Sequence, residues 1–309
     1  MHERICCVCH VPVSESAPRI GTRFYCERHH QSVTRDRRGL WLSAAIGVVA
    51  LLAFVGVVTA IVRLLSPALE GTWLALAGVV LALIPALIWL GVFYVQDRLE
   101  PEPKGFILGV FVLGALLAQA VGIPLVRDVF RVQDWLPYHG PWIDLLGSIL
   151  VIGVIQEYLK YAGIRFSVFA SAEFDERVDG IIYGATIGLG FATLLHIDYV
   201  IGSGGVRLDV GVIHIVVSTL AHASFAGVSG YFLGRAKFED MPAWWLPAGV
   251  MLAAVLNGVV SFLLQEVSVQ GFEFTPEYGL ILAALVAAAT FTVLFVLMRR
   301  INARTLAGA

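Results

Sequence analysis

DGIIYGATIGLGFATLLHIDYV, residues 179 to 200, is the stretch whose reading decides the fold. Asp179 stands where a helix N-cap would, and no further acid or base with a permanent charge follows until Asp198. The run is long enough to cross a bilayer core, which takes about 20 residues. Gly180, Gly184 and Gly188 recur every four residues and leave one helix face as a strip without side chains. Such strips let two helices approach closely inside a membrane, where packing takes over from water exclusion as the force between them. The reading is a membrane helix pressed against a neighbour, with His196 and Asp198 toward its far end.

The remainder of the chain agrees with that reading. Of 309 residues, 58% are hydrophobic and 14% charged, against about 25% charged in soluble domains. Apolar runs of spanning length lie near 41–65, 73–95, 105–126, 145–168, 180–202, 210–234, 244–265 and 279–298. Polar or proline-rich breaks separate them at 97–105, 127–144, 171–180 and 265–278. The fold class is therefore an all-α polytopic membrane protein, a bundle of about eight transmembrane helices over residues 39–309, with a small zinc-knuckle-like cytoplasmic segment over 1–38. The formal net charge of −2 is too small to suggest a nucleic-acid partner, and the lipid bilayer is the expected surrounding. No cleavable signal peptide is expected, because the first 38 residues are polar and rich in Cys, His and Arg.

Charge placement sets the expected orientation. Arg35, Arg37, Arg38, Arg98, Lys104, Arg165, Arg177, Arg235, Lys237, Arg299, Arg300 and Arg304 fall on one side of the spans, against Arg63, Arg127, Arg131 and Arg207 on the other. The positive-inside rule then puts both termini in the cytoplasm of a cell-membrane protein. Trp135, Tyr138 and Trp142 sit in an external loop, as interfacial anchors do.

All four cysteines are N-terminal. Cys6 and Cys9 have the C-x2-C spacing, and Cys26 with His29 forms C-x2-H, so two knuckles can close a tetrahedral structural zinc site. Cys7, His10 and His30 are near enough in sequence to exchange with these ligands. Disulfides are the weaker reading, since a cytoplasmic segment keeps its thiols reduced.

The fourth apolar run, VIGVIQEYLKYAGI at 151–164, carries Gln156, Glu157 and Lys160 within two helical turns. Glu157 falls about 18 Å along a helix entering near Leu145, which is mid-membrane. There an unpaired charge costs at least ~2.5 kcal/mol. An internal Glu157–Lys160 pair on one face neutralises both charges and is the plain reading. Other polar groups reach comparable depth, however: His222 on the sixth run, which shares a face with His214 and Ser218, and Asn257 on the seventh. His214 and His222 lie about 12 Å apart along the axis, too far to hold one ion. A carboxylate, an imidazole and an amide at one depth are what a buried metal or proton site requires.

The sequence DRLEPEP after the second run, QEYLK, FDERVDGIIYGATIGLGFA, HASFAGVSGYFLG and LNG, in that order across most of residues 90–265, resembles the PrsW family of intramembrane metalloproteases. The resemblance implies a helix carrying E-E-x-x-K, a following helix with Phe-x-x-x-Glu, then a catalytic His, and a second His on a later helix. It also implies a bundle zinc whose bound water, activated by a carboxylate, attacks a peptide bond of a membrane-anchored regulatory protein such as an anti-sigma factor. Glu157, Lys160, Phe191 and His222 fall on those motif positions. Gln156, Leu195 and Asn257 stand where the pattern has Glu, Glu and His. Leucine binds no metal, and a Gln amide has no basic pKa for general-base work.

Two readings follow from the resemblance. The chemistry is impaired in this chain, or a shifted site uses Glu157, His222 and His196, with Asn257 beside them. His196 is rotated about 100° from Leu195, so the second reading needs a bulge in its helix. Beyond these, a catalytically silent binding or sensor protein of the same fold is the alternative function. An ion or proton transporter is a weaker one, since the two halves of the chain share no repeat. Gly227-Val228-Ser229-Gly230 spells the G-x-S-G phrase of rhomboid serine proteases, but no histidine follows His222 and Ser229 reads as a packing residue.

Overall fold

The computed structural model describes residues 4–9, 11–20, 23–35, 39–65, 69–96, 101–205, 208–269 and 276–307. The chain opens with a two-stranded antiparallel hairpin, β1 Arg19–Ile20 and β2 Arg23–Phe24, followed by helix α1 Glu27–Arg35. The long helices are α2 Gly39–Leu65, α3 Gly71–Gln96, α4 Lys104–Leu117, α7 Val154–Ser167, α8 Asp179–Gly202, α9 Leu208–Phe238, α10 Trp245–Val269 and α11 Pro276–Ala307. The short helices α5 Val132–Trp135 and α6 Pro141–Gly147 lie between α4 and α7. Among the described residues, eight stretches are long and apolar enough to cross a membrane, from Trp41–Leu65 to Ile281–Asn302. The chain is a multi-pass membrane protein, and except for the third, which extends further, the spans fall close to the apolar runs.

α8 occupies the centre. Its spanning window is the most buried of the eight, and α3, α4 and α9 all pack on it. The glycine strip explains how α9 comes so close. A Cβ on Gly180, Gly184 or Gly188 would stand 2.2 Å from the Gly230 carbonyl oxygen, 2.4 Å from that of Ala226 and 2.4 Å from that of His222. Backbone thus rests on backbone, and every methyl is excluded. The same contact fixes the height of His222 against α8. On the other flank, a Cβ on Gly153 would meet the Ala254 carbonyl oxygen at 2.2 Å, which brings the start of α7 onto α10.

Three local features differ from the sequence reading. The third span runs on to Tyr138 through π-helical turns at Ala118–Gly122 and Leu125–Val129, so much of the 127–144 break is helical. The fourth span also contains a π-helical stretch, Ser148–Gly153, immediately before Gln156. Wide turns of this kind rotate the residues that follow, and they concentrate near functional groups. Asp179 does not cap its own helix. It is the first helical residue, and its carboxylate accepts the upstream backbone N–H groups of Asp175 (2.7 Å) and Glu176 (2.5 Å), folding the preceding loop onto the helix start.

Candidate functional site

Two clusters of chemically capable side chains stand apart, one inside the bundle and one in the N-terminal segment.

In the bundle, the α7–α10 contact and the glycine-set height of α9 bring together Gln156, Glu157, Lys160, His222 and Asn257, all buried. Lys160 Nζ donates to Glu157 Oε1 at 2.5 Å and lies 3.1 Å from His222 Nδ1. An ammonium can only donate, so the imidazole nitrogen is the acceptor. Asn257 Nδ2 donates to the same Glu157 oxygen at 2.5 Å and to Gln156 Oε1 at 3.2 Å, while Asn257 Oδ1 accepts from Ser261 at 3.1 Å. The aromatic floor is Phe191, whose ring centre is 5.3 Å from the ammonium and 6.3 Å from the His222 ring centre. The plain reading of Glu157 and Lys160 as an internal pair therefore describes their geometry, with His222 joined to it.

His196 faces elsewhere. α8 is regular helix through this region, and the His196 Nδ1 lies 3.3 Å from the Thr219 hydroxyl of α9. Its ring centre is 6.4 Å from that of His222. Among the described residues, the donor atoms of Glu157, His196 and His222 do not gather into a three-ligand group. Glu157 Oε2 and His196 Nε2 remain buried without a hydrogen-bond partner. His214 is outside the cluster and stacks on Tyr199 at 4.7 Å. Asp198 pairs with Arg127, and Ser229 donates to the Ala226 carbonyl at 2.9 Å within its own helix. Thr219 and Ser261 were not singled out from sequence. Their only advance signal is helical spacing, Ser261 lying one turn after Asn257.

These residues do not fit a catalytic zinc. A catalytic site takes three protein ligands and a water, whereas here one carboxylate and one imidazole nitrogen already share an ammonium. A divalent ion drawn to those two atoms would meet a like charge in place. Gln156, Glu157 and Lys160 together sum to zero charge, where two carboxylates and a lysine would leave one negative charge for the metal. Asn257 presents N–H toward Glu157, and an N–H has no lone pair to give.

The N-terminal cluster has the opposite chemistry. Cys6, Cys9, Cys26 and His29 offer ligand atoms that all lie within 4.8 Å of one another. Zn–S bonds of ~2.3 Å imply ligand separations of about 3.8 Å in a tetrahedron, so closure needs only small shifts. His29 Nδ1 is already 3.2 Å from Cys26 Sγ and 3.6 Å from Cys6 Sγ. The knuckles are held by backbone bonds from Cys6 N to Val11 O and from Cys7 N to Phe24 O. Burial acts to raise the Cys6 thiol, but backbone groups of Cys26, Cys9 and Val8 and the His29 ring outweigh it and bring it down to about 6. A thiolate at neutral pH is what a metal ligand must be. Cys7 interacts with buried Tyr25, and His30 packs edge-on to the same ring. His10 lies outside the described residues.

This segment is docked on the bundle. Arg23 makes ion pairs with Asp175 at 2.6 Å and Glu176 at 2.7 Å in the loop before α8. Close by, Tyr183 donates a hydrogen bond to buried Glu102, whose carboxyl is pushed by burial up to about 7. If the four donors hold a metal ion, a strong chelator is expected to loosen the hairpin that presents Arg23. Tryptic cleavage after Arg19 and Arg23 in the membrane-embedded chain should then accelerate, as it should in Cys9→Ser/Cys26→Ser. Equal protection with and without chelator would separate the docking from the metal.

A sequence profile described as PrsW family intramembrane metalloprotease matches residues 102–298. The protease PrsW of Bacillus subtilis (strain 168) is 31% identical over 186 residues, which is 60% of this chain and 81% of that protein. That of Geobacillus kaustophilus (strain HTA426) is 31% identical over 182 residues, 58% and 76% of the two chains. That of Clostridioides difficile (strain 630) is 32% identical over 190 residues, 60% and 77%. No solved structure matches the chain. The profile match takes in every residue of the bundle cluster and none of the N-terminal donors.

Proposed function

Because the chain belongs to the PrsW family of intramembrane metalloproteases, we propose that it is a membrane-embedded protease scaffold whose metal centre is disabled. The observation that supports this most is the position of Lys160 Nζ, 2.5 Å from Glu157 and 3.1 Å from His222, where the two retained motif side chains close on a cation of the protein itself. Gln156, Leu195 and Asn257 remove the other groups that the resemblance implies. The fold that would receive a membrane-anchored protein is retained, so engagement without hydrolysis is the activity this arrangement suits. On this reading residues 1–38 form a zinc-binding cytoplasmic segment and residues 39–309 the bundle.

The test is cleavage of a single-span reporter protein by the purified chain in nanodiscs. No cleavage above background is expected. Chelator-sensitive cleavage that disappears in both Glu157→Ala and His196→Ala would instead establish a shifted site. Orientation is proposed from the charge asymmetry, with both termini cytoplasmic in the plasma membrane. A cysteine reporter at Tyr138, which is 82% exposed, should react with a membrane-impermeant reagent added outside the cell. Reaction only from the cytoplasmic side would reverse the topology.

A further inference from the structure

At one end of the bundle a cavity of about 460 Å³ is lined by Arg177, Tyr231, Arg235, Glu239, Leu297, Arg300 and Ile301. Its walls come from the loop before α8, the C-terminal turns of α9 and those of α11. Three arginines and one carboxylate line it. Glu239 accepts from Arg177 Nε at 2.9 Å, and from Arg235 through both Nε at 2.8 Å and Nη2, and the hydrogen bonding from Arg235 holds its carboxyl below the usual range. The carboxylate therefore holds Arg177 by its inner nitrogen and Arg235 by Nε and one terminal nitrogen, and Arg300 lines the same cavity from α11.

The depth of the cavity is marked by aromatics. Arg235 lies over the Trp245 ring at 5.0 Å, and neighbouring Trp244 is 63% exposed, the placement of indoles at a membrane–water boundary. One side of the cavity is apolar through Leu297. One turn deeper along α11, Val293 is 58% exposed and continues that surface into the hydrocarbon. A planar, permanently charged fork matches phosphate oxygens two at a time, and basic pockets between transmembrane helices suit anionic headgroups.

We infer that this cavity binds a phosphate group carried by an anionic phospholipid of the adjoining leaflet. The headgroup phosphate sits among Arg177, Arg235 and Arg300, and the acyl chain follows Leu297 and Val293. Free phosphate shares the charge but has no use for the apolar track.

The test uses the full chain in nanodiscs of phosphatidylcholine alone or with phosphatidylglycerol, together with native mass spectrometry of the lipids it retains. Phosphatidylglycerol should raise the melting temperature and be retained in preference. Arg300→Glu should weaken that retention on the order of tenfold or more. Arg299→Gln is the control, since Arg299 stacks on Trp41 and its substitution should leave retention unchanged. Should Arg300→Glu lower the melting temperature in phosphatidylcholine itself, Arg300→Gln at the same exposed position carries the comparison. Equal retention by these Arg300 variants would overturn the inference. An equal melting shift from inorganic phosphate in phosphatidylcholine discs would overturn the lipid as its source.

Discussion

Lys160→Met is expected to destabilise the bundle by about 3–5 kcal/mol, the cost of leaving a buried charge without its partner. Glu157 is fully buried, and its other close donor is the Asn257 amide. With the ammonium gone, Glu157 would face His222 and Phe191, neither of which supplies a fixed positive charge. The double variant Glu157→Gln/Lys160→Met should recover most of the loss, because replacing a buried pair by groups of similar volume is often nearly neutral. Thermal denaturation of the two single variants and the double variant in one detergent gives the coupling directly. Additive losses would show that the pair does not hold this region together, and that the ammonium's position has another origin.

The second large effect is a gain. Gln156→Glu, Leu195→Glu and Asn257→His made together should create stoichiometric zinc binding within the bundle, and no one of the three changes should suffice. Leu195 lies one turn after Phe191 on α8, and Phe191 forms the floor of the cluster beside Lys160 and His222. A carboxylate at 195 therefore projects toward the same chamber, unlike His196, which is turned to Thr219. The triple change adds two negative charges and an imidazole lone pair, so Lys160 no longer neutralises the site alone. Zinc counted by atomic absorption in a background lacking Cys9 and Cys26 reports the outcome. Binding by a single variant would mean that the present residues already supply two ligands. No binding by the triple variant would mean that the chamber is closed by packing rather than by charge.

How much of this the sequence makes legible depends on the range of the interaction concerned. Apolar runs and the Gly180–Gly184–Gly188 strip are local patterns, and they predict the spans and a close helix contact along that strip, though not which helix fills it, because bilayer thickness and 3.6-residue periodicity act on each segment separately. The i,i+3 relation of Glu157 to Lys160 is legible for the same reason. The π-helical stretch at Ser148–Gly153 is not, since its backbone packs against α10 at Ala254 and Gly258, positions about 100 residues away in sequence. The 127–144 region reads as a break because of its charges and prolines, yet Gly140 and Pro141 end one helix and start the next in a few residues. The docking of Arg23 on Glu176 joins positions 153 apart in sequence, and nothing local announces it. Arg177, Arg235 and Arg300 are legible as charges on one side of the membrane, but only the fold shows that they meet around one cavity.

The central claim, that the retained Glu157 and His222 close on Lys160 instead of on a metal, is tested most directly by counting metal in the full-length purified chain and in Cys9→Ser/Cys26→Ser. The account predicts one zinc per chain in the first and none in the second, with the bundle's helical content unchanged. A zinc that persists in the cysteine variant and is lost on Glu157→Ala would contradict it.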